Sequence, residues 1–510
     1  MISISERNRR VKDVAGALFF CSYEYLKKML PSLVVFAGKS FFRKWNFLLS
    51  YPPPQRLRIA LESLGPTYIK IGQMLSTRVD VFPEEFIKEL EKLQDQVPPV
   101  SVEAVFQVLG DMRKRFVEFS EEPIGSGSIA QVHTAVLKTG EKVAVKVIKP
   151  GVEKHIRKDV TILKLLVSKL SRFIKPLREY RVLSIVEEFE RILLDEFDLT
   201  KEASYMEMFR KFAIEKEPRL VIPKVYWDYT NRDVLVSEFI KGIKLTNVEN
   251  LKNFDRKKLA EDFVIVVNRQ IFELSVFHGD LHPGNIFVLD DGRLAFVDFG
   301  IIGRLCPDTF SAFFMFSYAV MKKDVDLIIA ALKMVGAIEN DVNEQLLKRE
   351  LLIFLDKYYN RPLSKIDAEK FFYEELSITK QFNLLLPEEL LVLLKTVTHT
   401  ESIARIIYPD FTLPSVLHPY LKKLIPKFLI EDVRRRTMRT AVSYASFFER
   451  LPGMLEKGAL NEKDNWRDNV PILEAAFLFG GATVLAFKPL LLPLYLISVG
   501  AYIFLKKGEN

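Results

Sequence analysis

His278-Gly279-Asp280-Leu281-His282-Pro283-Gly284-Asn285, followed by Asp298-Phe299-Gly300, decides how this 510-residue chain is read. In order along the chain it supplies the three polar groups that phosphoryl transfer needs. Asp280 can hold an attacking hydroxyl or water, while Asn285 and Asp298 can share a Mg²⁺ that neutralises phosphate charge. The order and spacing of these groups argue against chance.

Upstream lies Ile124-Gly125-Ser126-Gly127-Ser128-Ile129-Ala130-Gln131-Val132, a G-x-G-x-x-A-x-V loop whose missing side chains let backbone N–H groups approach phosphates. A glycine-rich stretch alone is more often a tight turn. Here Lys146 follows 14 residues after Val132, inside Val143-Ala144-Val145-Lys146. The alternation predicts a strand with Val143, Val145 and Val147 on one face and Ala144 and Lys146 on the other. Loop and lysine form a nucleotide-binding pair, and Asp280-Leu281 with Asn285 matches the H-R-D-L-x-x-x-N catalytic loop of protein kinases, Gly279 standing where the arginine would be. The expected cofactors are therefore ATP and Mg²⁺, with Lys146 gripping phosphates.

With H-G-D-x-H-P-G-N in place of H-R-D-x-K-x-x-N, the stretch resembles the signature of the UbiB/ADCK group of atypical protein-kinase-like proteins, associated with ubiquinone biosynthesis. Leu64 to Arg78, containing Lys70-Ile71-Gly72-Gln73, resembles that family's K-x-G-Q extension, which folds over the active cleft. Lys70 and Gln73 are one helical turn apart, so both can project polar groups from one face. Glu196-Phe197-Asp198-Leu199-Thr200-Lys201-Glu202-Ala203 resembles the E-x-D-x-x-x-E-A segment. The resemblance implies that Glu202 pairs with Lys146 and that Glu196 and Asp198 form the E-x-D motif; spacing alone does not divide these roles. Glu401-Ser402-Ile403-Ala404-Arg405 resembles the family's E-G-x-x-R segment and is read as a buried structural pair. Gly125-Ser126-Gly127-Ser128 departs from the alanine-rich loop of many members and is closer to ordinary kinases.

The resemblance runs from about Arg56 to Asp410, and more loosely through the C-terminus. It implies an α+β, bilobal protein-kinase-like fold. The expected parts are an N-terminal helical extension at 1–115, a small lobe at 116–242, a large helical lobe at 243–425, a basic linker at 426–469 and a transmembrane hairpin at 470–506. A strand is expected at Val234 to Phe239, and a helix from Pro83 to Gln96 with proline at its first position, ended by Pro98-Pro99.

Composition adds the surroundings. Hydrophobic residues make up 49% and mean hydropathy is +0.08, which directs attention to membrane segments. Val470 to Phe487 and Pro489 to Leu505 are apolar runs of 18 and 17 residues with Glu474 the only charge inside them. As helices they reach about 27 and 26 Å, close to a hydrocarbon core of about 30 Å. Ala15 to Gly38 carries Glu24, Lys27 and Lys28 and reads as amphipathic. The net charge of +8 gathers at Arg7, Arg9, Arg10 and Lys12 and at Arg434, Arg435, Arg436 and Arg439. With no nucleic-acid motif beside these clusters, an anionic membrane is the preferred partner and nucleic acid is not expected. Cys21 and Cys306 form no framework, and His155, His399 and His418 show no metal-binding pattern. The resulting expectation is a kinase-like ATPase or phosphotransferase at the inner (cytoplasmic) membrane, its catalytic domain cytoplasmic. Its expected partners are ATP, a membrane lipid or isoprenoid precursor, and quinone-biosynthesis proteins. A protein Ser/Thr kinase and a non-catalytic nucleotide-gated scaffold are the alternatives; no A-P-E follows Asp298-Phe299-Gly300, and none of Lys146, Asp280 or Asp298 is lost.

Overall fold

The run Lys142–Ile148 forms the strand that its alternation predicts, with Val143, Val145 and Val147 buried and Ala144 and Lys146 half-buried on the other face. In this computed structural model the described residues are 13–15, 43–76, 82–93, 98–172, 182–338 and 342–359, and most of 374–424. All belong to one compact unit, residues 1–424. The second unit, residues 425–510, lies outside the described residues, and with it the Arg434 to Arg439 cluster and both apolar runs. Most of the Ala15 to Gly38 stretch lies outside them too. Among the described residues no helix is long and apolar enough to cross a membrane.

Prolines open two consecutive helices after the short helical turn at Arg43–Ser50. Pro53 and Pro66 start α1 (Pro53–Leu64) and α2 (Pro66–Leu75), where the missing N–H costs nothing, and Gly65 at φ 96° makes the break between them. Helix α3 (Glu84–Leu90) differs from its expected form: Pro83 is the N-cap, and the helix stops well before Pro98-Pro99. Beyond its end Leu93 turns inward against Gly72, where a Cβ would lie 2.2 Å from the leucine methyl. Ser101 caps α4 (Val102–Leu109) through its side chain.

An antiparallel sheet follows, built from β1 (Phe116–Phe119), β2 (Gly125–Ser126), β3 (Ala130–Leu137) and β4 (Lys142–Ile148). Among the described residues the next helices are α5 (Val152–Leu170), α6 (Val182–Asp195) and α7 (Leu199–Lys216). After β5 (Leu220–Val221), the strand β6 (Val234–Glu238) completes the sheet in the order β1-β3-β4-β6, with β2 on β3. Val105 and Leu109 of α4 close over Val143, Val145, Val147 and Val236 as one core.

The larger remainder begins with β7 (Ile243–Lys244) and α8 (Arg256–Arg269), then β8 (Val276–His278), β9 (Ile286–Val288), β10 (Leu294–Phe296) and β11 (Ile302–Arg304). The hairpin that turns at Asp290-Asp291-Gly292 is β9–β10, inside a sheet ordered β5-β10-β9-β7. A second pair, β8–β11, brings His278 opposite Ile302. Helices α9 (Pro307–Lys322), α10 (Val325–Met334) and α11 (Glu344–Tyr359) pack through Ile328, Leu347, Leu351 and Leu355. Helix α12 (Glu388–Ile407) lies along α8.

Candidate active site

Three elements distant in sequence converge on one ammonium group. Lys146 Nζ, on β4, lies 2.8 and 2.9 Å from the two carboxylate oxygens of Glu202 on α7, and 3.3 Å from Asp298 Oδ1 after β10. Glu202 also accepts from the Phe299 N–H at 3.3 Å, so one carboxylate ties both parts of the site together. Burial favours the uncharged forms of this cluster, but the carboxylates hold the Lys146 pKa above its ordinary value. Burial likewise pushes the Glu202 carboxyl up, against the pull of Lys146. At Asp298 burial is outweighed by Lys146, the Gly300 N–H, His278 and Lys70, and the pKa falls to about 2. The aspartate is thus a carboxylate throughout the physiological range.

Backbone strain and aromatic packing set the direction of Asp298. The residue sits at φ 72°, a left-handed conformation rare outside glycine, and its Oδ1 accepts from the Gly300 N–H at 3.1 Å. Phe299 is fully buried, its ring 5.1 Å from Phe209 of α7 and 5.2 Å from the His278 imidazole. Phe209 therefore anchors the Asp298 turn to the helix that carries Glu202.

The catalytic-type loop hangs between β8 and β9. His278 is buried, and its Nδ1 accepts from the Asp280 N–H at 3.2 Å. Gly279 donates to the Ile301 carbonyl at 2.9 Å, and a Cβ there would lie 3.0 Å from the Ile301 side chain, so the position has little room for the arginine of the kinase pattern. His282 caps the turn Pro283–Asn285 by accepting from the Gly284 N–H, and the Asn285 carbonyl accepts from Val297, next to Asp298. Asp280 and Asn285 remain half-buried. Asn285 and Asp298 offer a neutral and an ionised oxygen donor, a set that fits Mg²⁺ completed by phosphate oxygens and water.

The glycine loop divides more sharply than its sequence suggests. Cross-strand register places Val132 opposite Lys146, so Val132 and Ala130 share the face of Lys146. Gly125 and Ser126 pair with β3, and the Gly127 N–H closes the turn on Ala130 at 2.9 Å. Ile124 is exposed, whereas Ser128 and Ile129 are turned inward. Gln131, expected to bind nucleotide, faces away instead. Its side chain pairs with the Val100 backbone at 2.9 and 3.3 Å and donates to His133, whose Nδ1 donates to the Ser120 carbonyl. Lys149 was not singled out by sequence; its Nζ donates to the Gly127 and Pro98 carbonyls at 2.6 and 3.1 Å, and nothing in the local pattern distinguishes it from a surface lysine.

The extension reaches the same cleft. Lys70 Nζ lies 3.1 Å from Glu196, both largely buried, and its charge contributes to the low Asp298 pKa. Gln73 does not share that task, since its amide donates to the Leu93 carbonyl at 3.1 Å. Gly72, between them, admits the Leu61 and Leu93 side chains at distances that exclude any Cβ. Asp198 caps α7 by accepting from Thr200, so the two E-x-D carboxylates have separate roles. Arg405 and Glu401 form the expected structural pair at 2.7 Å.

Two family models match the chain. Residues 92–332 match the ABC1 atypical kinase-like domain and residues 351–412 the UbiB helical domain. A Marinobacter nauticus protein called "Probable protein kinase UbiB" is 33% identical over 460 residues, 86% of this chain and 82% of its own. An Azotobacter vinelandii protein of the same name is 34% identical over 399 residues, 75% and 74% of the two chains. A solved structure from Mycobacterium tuberculosis, of a complex with erythromycin, aligns with TM-score 0.49 and 23% identity over 68% of this chain and 90% of that one.

Proposed function

The chain belongs to the UbiB family of ABC1 atypical kinase-like proteins, and from that premise we propose that it is a Mg²⁺-ATP-dependent ATPase or phosphotransferase with a small acceptor. We place its work at the cytoplasmic membrane, tethered through residues 470–505, in support of ubiquinone or related isoprenoid-lipid biosynthesis. The observation that carries the reading is the convergence of Glu202 and Asp298 on Lys146. It supplies a cation for phosphates and, beside it, an ionised metal ligand.

In this reading Asn285 and Asp298 hold Mg²⁺, which supplies charge neutralisation on the phosphates. Lys146, kept charged by its two carboxylates, orients the same phosphates. Asp280, fixed by the His278 contact to its own N–H, orients the attacking hydroxyl or water. A small acceptor is supported by the segment after Gly300, where β11 pairs with β8 and the chain enters α9 at Pro307, leaving little length for a peptide platform. The Lys70–Glu196 pair at the cleft argues in the same direction.

The second reading, a protein Ser/Thr kinase, is favoured by Gly125-Ser126-Gly127-Ser128. Measuring Mg²⁺-dependent ADP release with and without anionic liposomes, beside phosphate transfer to generic peptides, separates the two. The ATPase reading expects lipid-responsive ADP release with little peptide product. Peptide phosphorylation matched to ATP consumption overturns it in favour of the kinase, and no turnover under any condition overturns both.

A further inference from the structure

Lys149 is a buried cation one position beyond β4, the strand that carries Lys146. It holds the tip of the β2–β3 hairpin twice. Its backbone N–H donates to the Ile129 carbonyl at 2.8 Å, and its Nζ donates to the Gly127 carbonyl at 2.6 Å. Ser128 and Ile129, the buried residues of the tip, are thereby fixed from both sides. An ammonium carries three N–H donors, so the same side chain can bind a second segment. That segment is Pro98–Val100, whose Pro98 carbonyl accepts from Nζ at 3.1 Å.

Pro98–Val100 is the stretch by which the chain passes from the helical extension into α4. Consecutive prolines offer no N–H and favour an extended backbone, so their carbonyls need donors from other segments. Gln131 fastens the far end of this strap. Its Oε1 accepts from the Val100 N–H at 2.9 Å and its Nε2 donates to the Val100 carbonyl at 3.3 Å, an acceptor and a donor that one amide side chain supplies together. Gln131 lies on the face of β3 opposite Val132, the cross-strand partner of Lys146, so the strap and the phosphate-gripping lysine are on opposite faces of the sheet. We propose that Lys149 is a positioning residue for the nucleotide loop: by binding the Gly127 and Pro98 carbonyls together it clamps the loop tip to the strap and holds the loop in one conformation before nucleotide arrives.

The need for a clamp follows from the loop's own sequence. Gly125-Ser126-Gly127-Ser128 puts two glycines into four residues, and glycine has the widest range of backbone conformations, so an unclamped tip spreads over many of them. Apparent affinity scales with the fraction of protein in the binding-competent conformation. A loop left competent about a tenth to a fifth of the time binds about 5- to 10-fold more weakly. Turnover at saturating nucleotide, with the loop already closed on its ligand, changes little.

The inference rests on the reading in which this loop binds Mg-ATP, and its test includes one measurement that does not. The full-length protein is compared with Lys149→Met, which keeps the stem and removes the donors, and Lys149→Arg, which restores them. Lys149→Met is expected to raise the Mg-ADP Kd and the KM for ATP about 5- to 10-fold with kcat within about twofold, and Lys149→Arg to recover most of the loss. Without nucleotide, deuterium exchange at residues 125–130 is expected to rise in Lys149→Met while exchange at Val143 and Val145 inside the sheet stays constant. Gln131→Met releases the strap from its other end and decides the matter if Lys149→Met does not fold. In it the Val100 N–H is expected to exchange faster and the Mg-ADP Kd to rise about 2- to 5-fold. Unaltered tip exchange and Kd in Lys149→Met overturn the proposal, as does a Lys149→Arg no better than Lys149→Met. Faster exchange shared by Val143 and Val145, with a lower melting temperature, marks plain packing and overturns it too. A freed Val100 N–H with unchanged Kd in Gln131→Met does the same. Unmodified protein that binds no Mg-ADP overturns the nucleotide reading, while the exchange data still decide whether Lys149 fixes the tip.

Discussion

Replacing Glu202 by glutamine tests the ion cluster at its centre. The substitution keeps shape and removes one charge from a carboxylate whose oxygens lie 2.8 and 2.9 Å from Lys146 Nζ. At 2.8 Å and an effective dielectric constant of about 20, the direct attraction is about 6 kcal/mol, most of it offset by desolvation. Removing one partner of a buried pair costs about 3–5 kcal/mol. Here Lys146 keeps 21% side-chain exposure and a second carboxylate at 3.3 Å, so the expected loss is smaller, about 2–3 kcal/mol, just below that range. The ammonium then leans on Asp298, occupying the oxygen that the metal needs, and Mg-ADP affinity should fall about tenfold, equivalent to about 1.4 kcal/mol. The assay is a double-mutant cycle with Lys146→Met, read by urea unfolding of the detergent-solubilised full chain and by Mg-ADP titration. A coupling energy below about 0.5 kcal/mol, with unchanged Mg-ADP affinity, refutes the argument.

Asp298→Asn is expected to weaken Mg-nucleotide binding, while Asp280→Asn spares binding and abolishes turnover; equal ATP turnover in purified Asp280→Asn protein contradicts the assignment. Gln73→Ala leaves the Leu93 carbonyl without its amide donor and should cost about 1–3 kcal/mol of stability with nucleotide affinity unchanged, whereas Lys70→Ala should alter turnover; calorimetry and kinetics on both variants decide. Burial, reinforced by Lys395 and opposed by Asp280 and the Leu281 carbonyl, lowers the His399 pKa to about 4 from the ordinary 6.5. The unfolded chain takes the proton first, so this residue lowers stability as pH falls from 6.5 to about 4; His399→Gln should flatten that slope, and identical urea midpoints against pH in both proteins exclude it. Removing residues 468–510 should release the protein from membranes with nucleotide binding intact, and carbonate-resistant association of the truncated chain rules out the hairpin as anchor.

Sequence by itself was enough for the chemistry that is local. The G-x-G-x-x-A-x-V loop, the alternating strand around Lys146 and the Asp280-to-Asn285 spacing are short-range patterns, governed by backbone conformation and two-residue periodicity, and they were legible without coordinates. Family resemblance supplied the Lys146–Glu202 pairing, which bridges 56 residues and has no local signature. Tertiary structure alone decided the rest. Gln131 belongs to the loop motif, yet its place in β3 turns it toward Val100; Lys70 and Gln73 share a helix, yet only one faces Glu196. Helix α3 stops at Leu90, short of the prolines, and Leu93 beyond it packs against Gly72. In each case side-chain direction depends on which surface lies opposite, a long-range packing fact that periodicity does not encode. Val392 lies in a part of the chain without any nucleotide motif, and only the docking of α12 brings it against Gly279 of the catalytic-type loop.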